Sequence, residues 1–500
     1  MGGRTKRVIQ KRLPVPQVRL SPHGIFSKDM TKDLHSFLKE YERDFPGEVV
    51  HIEKEVDARY EVTALVSKLE KQKKFPILFF HRVKTARGIS SLPLIIFLLS
   101  SRKRLAHVLE STVEGVGLAT FERLSRQIDP IVVTKSEAPV RQLVSTGDDI
   151  DLTEYPAPVH HEIDPGPYIT GGFLTAYFPD SRVANTALQR GWISGPKEIR
   201  LCIESYSHNF LILSQNEAHG KDTPVAIWVG HHPLVILGCQ NRIPVSVSHF
   251  AVGGGFAGEP MRLVGSETLG EDFLVPADAD IVIEGFIPRG KRKPEAPFGE
   301  FTRYYGPQRW NPYMVVTAVT RRSKALWDDV MVGHTHWISS PVREGHIFQK
   351  VKEVVPTVVN VHVPMSGCGV RHVYIQIRQN VAGQSRAALL AALNSHPSVK
   401  HAFVFDDDVD IFDEKEVLMA LANRFRGDRD LLVLHECMTD TLDPSVAGNT
   451  GPKVGFDCAK PVGRRFAKRL GIPQGVMDSL RLEDHIPDEV LGRISVEPYG

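Results

Sequence analysis

The middle of the chain constrains its fold more than any other stretch. From Pro139 to Ser323 it is a succession of short runs rich in β-branched and aromatic residues, among them YITGGFLTAYF, PVAIWVG, PLVILG and ADIVIEGFI, punctuated by Gly and Pro. Such runs predict a β-rich body with barrel-like closure. After Trp327 the texture changes. EGHIFQKVKEVV and EKEVLMALANRF have helical spacing, SRAALLAAL is a strong helix former, and VRHVYIQI and HAFVFDDDVDI read as strands. Strands alternating with helices predict an α/β unit. The fold class expected is therefore α/β in the broad sense (α+β), with a break near residues 330–355 where a linker helix belongs. At the start, KDLHSFLKEYE places Leu34, Phe37, Leu38 and Tyr41 on one helical face, and EVVHIEKEV alternates like a half-buried strand. The expected divisions are a basic extension (1–30), a β-rich domain (31–330), a linker helix (331–355), an α/β domain (356–480) and a tail (481–500). One helix, GRRFAKRLG, is expected in the loop-rich stretch from Asp440 onward.

Composition narrows the function mainly by exclusion. With 61 Lys and Arg against 59 Asp and Glu, no field of one sign points to a nucleic-acid or membrane partner. The longest apolar run, Leu92 to Leu99, is about half of what a membrane-spanning helix needs. Five cysteines without a CxxC pair argue against a disulfide framework or a structural zinc site, and fit a reducing cytoplasm. The N-terminal extension carries Arg4, Lys6, Arg7, Lys11, Arg12 and Arg19 with no acid, but lacks the apolar core of a secretory signal.

Four segments carry chemistry. In PEAPFGEF, Glu295 and Glu300 flank Pro297-Phe298-Gly299, a segment too rich in Pro and Gly to be helical; two carboxylates on one turn can split their pKa values, one ionised and one able to deliver a proton. In VANTALQRGWI, Asn185 and Arg190 sit amid apolar residues, and the forked guanidinium suits a carboxylate. His208 precedes the apolar run of SHNFLIL, and Lys453 stands in glycine-rich GPKVGFDCAKP as a phosphate-binding lysine would. Taken singly, each is equally what solvated loop glutamates, a structural ion pair, a hydrogen-bonded histidine or a surface lysine look like.

Taken together they resemble the UbiD decarboxylase family. The family's Asn-x(4)-Arg element looks like Asn185 to Arg190, its metal-binding His matches His208, and its Glu-x-Pro-Phe-Gly-Glu element matches Glu295 to Glu300. Its late phosphate-site Lys matches Lys453, and FDDDVDIFDEKEVLMALANR is similar to its acidic C-terminal stretch. The resemblance covers roughly residues 30 to 480. It implies an N-terminal cofactor domain with a split β-barrel, a linker helix and a C-terminal α/β dimerisation domain. The implied cofactor is prenylated FMN, delivered by a flavin prenyltransferase and lying along Asn185, Thr186, Ala187, Leu188, Gln189 and Arg190, with His208 and Lys453 at its phosphate. A divalent metal, Mn2+, and K+ would accompany it. Arg190, Glu295 and Glu300 are the implied catalytic set, acting reversibly on an aromatic, heteroaromatic or α,β-unsaturated carboxylic acid with release of CO2. One departure stands out. Where the family usually has a third metal-site Glu, this chain has His249, which would ligate through nitrogen unless Glu259 takes its place.

Arg303, Arg309, His334 and His336 lie near the second glutamate in sequence. Such cations suit a second carboxylate or a ring heteroatom, which favours furan or pyrrole carboxylic acids or a benzenoid diacid. An FMN oxidoreductase on a similar barrel, or a flavin carrier without catalysis, would account for the β-rich middle but not for Glu300.

Overall fold

The Thr223–Val229 and Ile281–Ile287 strands are each buried at six of seven positions, and their sequences TPVAIWV and IVIEGFI are correspondingly apolar with little alternation. They pair antiparallel with Ile227 opposite Ile283. Around them the computed structural model, which describes residues 31–334 and 338–494, builds a nine-stranded antiparallel sheet. Its order runs Ala184–Leu188, Gly172–Tyr177, Thr223–Val229, Ile281–Ile287, Tyr313–Arg321, Glu198–Leu201, Gly191–Gly195 and Tyr168–Ile169, with Leu143–Thr146 also on Tyr313–Arg321. The sheet curls into the half-barrel expected from the sequence. Trp228, fully buried, stacks on Phe173 with centroids 4.4 Å apart, and its indole N–H donates to the hydroxyls of Thr175 and Thr186 at 3.2 and 3.1 Å. The basic extension, His336 and the end of the tail lie outside the described residues.

The first compact unit runs to Leu109 and resumes at Arg123–Ile338. It also holds a four-stranded sheet ordered Val49–Ile52, Ile77–Phe80, Leu94–Ile96 and Trp327–Asp329. The apolar run at Leu92 to Leu99 is buried core, and no helix among the described residues is long and apolar enough to cross a membrane. The Leu34–Asp44 helix is closed by an Asp33–Ser36 capping box and buries Leu34, Phe37, Leu38 and Tyr41, the face expected of it.

The second unit contains Glu110–Glu122 and everything from Ser339. Its five-stranded sheet, ordered Val358–His362, His372–Ile377, His401–Asp406, Thr450–Asp457 and Leu431–Met438, is parallel in the centre and antiparallel at both edges. The Gln384–Leu393 and Glu414–Arg424 helices fall where the sequence placed them. Three expectations need correction. The Ser340–Val354 helix is no bare linker, because Ile347, Phe348 and Val351 belong to this unit's core. Residues 110–122, assigned by sequence order to the first body, pack here instead, with Phe121 edge-on to Phe348 at 5.1 Å. Residues 463–471 form no helix. Gly463 has φ +72° and the segment is exposed, so its periodicity has no face to bury and a piece this short does not hold a helix alone.

The His249–Ala257 helix is buried along its whole length, which the glycines of HFAVGGGFA allow. A β-carbon at Gly255 would lie 1.8 Å from the carbonyl oxygen of Arg126, and one at Gly238 on the neighbouring Pro233–Cys239 helix 2.7 Å from the Gly253 α-carbon. Gly255→Ala is therefore expected to destabilise the protein by about 1–3 kcal/mol through overpacking. An unchanged urea midpoint would show that the contact relaxes freely.

Candidate active site

The Ala184–Leu188 strand and the residues after it present the Asn185–Arg190 segment, and the Lys293–Glu295 and Phe298–Gly299 strands present the two glutamates. The fold closes a separation of more than a hundred residues. Arg190 Nε donates to Glu295 Oε1 at 3.0 Å and Nη2 to Oε2 at 3.1 Å, a bidentate fork, while Nη1 donates to Glu300 Oε1. Among the described residues, three of the five guanidinium donors are so engaged. The cation also lies 4.9 Å from the centroid of Phe298. Glu295 is fully buried and Glu300 nearly so. Gly306 makes room for the latter, since a β-carbon there would sit 2.5 Å from Glu300 Oε1.

The two carboxylates differ in their surroundings. Glu295 also accepts from the Tyr168 hydroxyl at 3.2 Å and from Asn311 Nδ2 at 3.0 Å. For Glu300 the only side-chain donor among the described residues is Arg190. Burial raises the pKa of Glu300, Arg190 opposes the rise, and the nearby Glu295 and Glu204 carboxylates add to it. Burial works against the charge of Arg190, but Cys202, Glu300 and Glu295 together hold it well above its ordinary value. Cys202 lies in the same field, its thiol pushed up to about 12 by burial, so it is inert as a nucleophile.

A second cluster gathers at the other end of the strand. His208 and His249 each occupy the first position of a helix capped by the preceding serine, and both helices pack against the Ala184–Leu188 strand. Asn185 Nδ2 donates to Asn209 Oδ1 at 2.6 Å, which leaves its own amide oxygen as an acceptor. The His249 ring contacts the Asn241 carbonyl through Nε2 at 3.1 Å and also lies against the Ala184 backbone. Burial holds this ring neutral, its pKa drawn down to about 4. Among the described residues no group of three or more His, Cys, Asp and Glu side chains is arranged to hold a metal ion. An ion here would rest on the Asn185 oxygen and two imidazoles, and the two helix N-termini fit a metal-bridged anion.

Other expected residues are engaged elsewhere. Lys453 is buried and donates to the carbonyls of Leu393 and His396, at 2.6 and 2.8 Å, within its own unit; burial draws its pKa down to about 8. Thr186 faces Trp228 in the barrel interior. Arg303 and His334 both bind Glu70, at 3.0 and 2.7 Å. Arg309 lies opposite Glu295 in the Lys293–Glu295 pairing with Arg309–Asn311. Sequence reasoning missed Tyr168, Asn311, Phe298 and Cys202 as neighbours of Arg190. Only the register of the Arg309–Asn311 strand against the glutamate strand could have suggested Asn311.

A largely buried arginine thus bonds two carboxyl groups with unequal surroundings. Models of the N-terminal, Rift-related central and C-terminal domains of 3-octaprenyl-4-hydroxybenzoate carboxy-lyase match residues 42–124, 131–335 and 336–458. The chain belongs to the UbiD family of carboxy-lyases. It is similar to the UbiD-class enzyme HmfF from Pelotomaculum thermopropionicum in complex with FMN (TM-score 0.83, 33% identity, 91% of this chain and 100% of that one). An evolved dimeric form of that enzyme in complex with prFMN gives a TM-score of 0.81 at 32% identity, over 91% and 100% of the two chains. The anhydromevalonate phosphate decarboxylase of Methanothermobacter thermautotrophicus is 33% identical over 315 residues, which is 62% of this chain and 74% of that one.

The raised pKa of Glu300 is directly observable. In difference infrared titration of wild type against Glu300→Gln, a protonated carboxyl band should persist above pH 4.5, the ordinary value for glutamate. A Glu300 band that vanishes at or below that pH would contradict the burial argument.

Proposed function

We propose that the chain catalyses reversible, non-oxidative decarboxylation of an aromatic, heteroaromatic or α,β-unsaturated carboxylic acid with prenylated FMN, Glu300 being the proton donor. The observation that carries this reading is the unequal pair of buried carboxylates on Arg190. Asn185, His208 and His249 would hold the cofactor phosphate through a divalent ion, Mn2+ by expectation. Bound there, prenylated FMN supplies the electron sink that side chains lack for loss of CO2 from an unsaturated carbon.

The chain's own residues do the rest. Arg190 takes the substrate carboxylate on its two remaining donors and orients it. Glu295 holds the guanidinium in plane from the opposite side. Glu300, kept protonated by burial, delivers a proton to the carbon that CO2 has left. Because a raised carboxyl pKa keeps the acid form up to higher pH, turnover by this donor is present below that pKa and falls as pH rises through it. A flavin carrier would have no use for such an acid.

The recognition of a second substrate anion by Arg303 and His334, expected from sequence, requires displacing Glu70 from both. A monoacid with an apolar or heteroaromatic body therefore fits the site better than a diacid. Furan and pyrrole monocarboxylates remain in that class.

The test is hydrogen exchange at the product's vinylic or ring carbon in D2O, using holoenzyme made with a flavin prenyltransferase. Glu300→Gln should lose on the order of 10²–10⁴-fold in exchange and in CO2 release. Arg190→Ala should raise KM as well as lower turnover. Wild-type exchange in Glu300→Gln would remove it from the donor role, and robust CO2 release with plain FMN would remove the cofactor assignment. His249→Glu should tighten Mn2+ binding, since a carboxylate oxygen suits that ion better than imidazole; equal or weaker retention by elemental analysis would show that His249 is not at the ion.

A further inference from the structure

We propose that Tyr168 and Asn311 are positioning residues that anchor Glu295, and through it Arg190, to two separate parts of the scaffold. The assignment rests on the decarboxylase reading of this site. It begins from the acceptor capacity of one carboxylate. Glu295 offers about four acceptor positions. Oε1 receives Arg190 Nε at 3.0 Å and Tyr168 Oη at 3.2 Å, and Oε2 receives Arg190 Nη2 at 3.1 Å and Asn311 Nδ2 at 3.0 Å. Each of these positions is filled by a donor, whereas among the described residues Glu300 has Arg190 alone as a side-chain donor.

The two added donors do what the guanidinium fork does not. A bidentate pair locks two planes together, but the pair as a whole is free to swing about the side-chain bonds of its members. Tyr168 stands on the Tyr168–Ile169 strand at the edge of the nine-stranded sheet. Asn311 stands on the Arg309–Asn311 strand, which pairs with the strand carrying Glu295 itself. Bonds from two directions remove the swing. Tyr168 is fully buried, and its ring lies 4.1 Å from that of Phe298, which in turn lies under the Arg190 guanidinium. One side chain thus braces the carboxylate by its hydroxyl and, by its ring, the aromatic surface that carries the cation. Burial, reinforced by Glu295, raises the phenol pKa, so the hydroxyl remains a donor.

The experiment is a double-mutant cycle on reconstituted holoenzyme. Tyr168→Phe keeps the ring and removes only the donor, and should slow product exchange in D2O by about tenfold or more, as loss of a hydrogen bond to a charged group does. In a Glu295→Ala background, which leaves no acceptor, the same substitution should change exchange by less than about twofold, because its partner is gone. A full effect of Tyr168→Phe in that background overturns the proposal. Asn311→Asp sets a carboxylate against Oε2 and should slow exchange more than Asn311→Leu; equal effects overturn the donor role of Asn311. The contact is also read without turnover. Melting temperatures of wild type, Tyr168→Phe, Glu295→Ala and the double variant should be non-additive, and additivity overturns the anchoring whatever the chemistry. If wild-type holoenzyme neither releases CO2 nor exchanges with any acid, the decarboxylase reading fails by itself, and coupled melts still uphold the anchoring.

Discussion

Three ionisable groups share one nearly dry place: the guanidinium of Arg190 and the carboxyl groups of Glu295 and Glu300. Taking an ion from water into a protein interior costs several kcal/mol, recovered only when charges and donors are matched. Among the described residues Glu295 is wrapped by four side-chain donors from three residues, Glu300 by one. Burial raises the pKa of Glu300, Arg190 opposes the rise, and the Glu295 and Glu204 carboxylates add to it.

The rest of the first unit can be understood as what holds this imbalance in place. Arg190 follows directly on a strand whose own interior is tied by Trp228, Thr175 and Thr186, so its backbone has little freedom. The glutamate strand is paired along Lys293–Glu295 and again at Phe298–Gly299, which places each carboxylate from a short ladder on either side of Ala296 and Pro297. Asp164 adds a further tie, accepting from the backbone N–H groups of Gly299 and His161. At the other end of the Asn185–Arg190 segment the packing is as close, because the glycine-rich helix that begins at His249 lies directly against backbone. The arginine with its two carboxyl groups and the two imidazoles are therefore mounted at the two ends of one short strand.

Much of this was legible in the sequence, for identifiable reasons. The barrel strands announce themselves because fully buried strands read as apolar runs, and the α/β alternation of the second unit follows from helical and strand periods that compete with nothing else. Glu295 and Glu300 could be singled out by their spacing around Pro297 and Gly299, but their closeness to Arg190 came only through family resemblance, since no local pattern encodes a contact across a hundred residues. Tyr168 and Asn311 left no trace for the same reason. The GRRFAKRLG helix failed because periodicity marks a helix only where a face is covered, and residues 110–122 were misplaced because sequence order says nothing about docking.

The cations expected to greet a substrate show the same rule at work in the opposite direction. Arg303, His334 and Lys453 were chosen as groups that would suit an anion, and each is found with protein partners: Glu70 for the first two, the carbonyls of Leu393 and His396 for the third. A charge drawn partly out of water takes the nearest partner the fold provides. Lys453 lies where the Gln384–Leu393 helix ends, a place that favours a cation by the alignment of its peptide dipoles. Arg190 has partners too, yet among the described residues three of its five donors account for them. What sets it apart is that donors remain after its partners are satisfied, while Glu295 is itself held from two other sides.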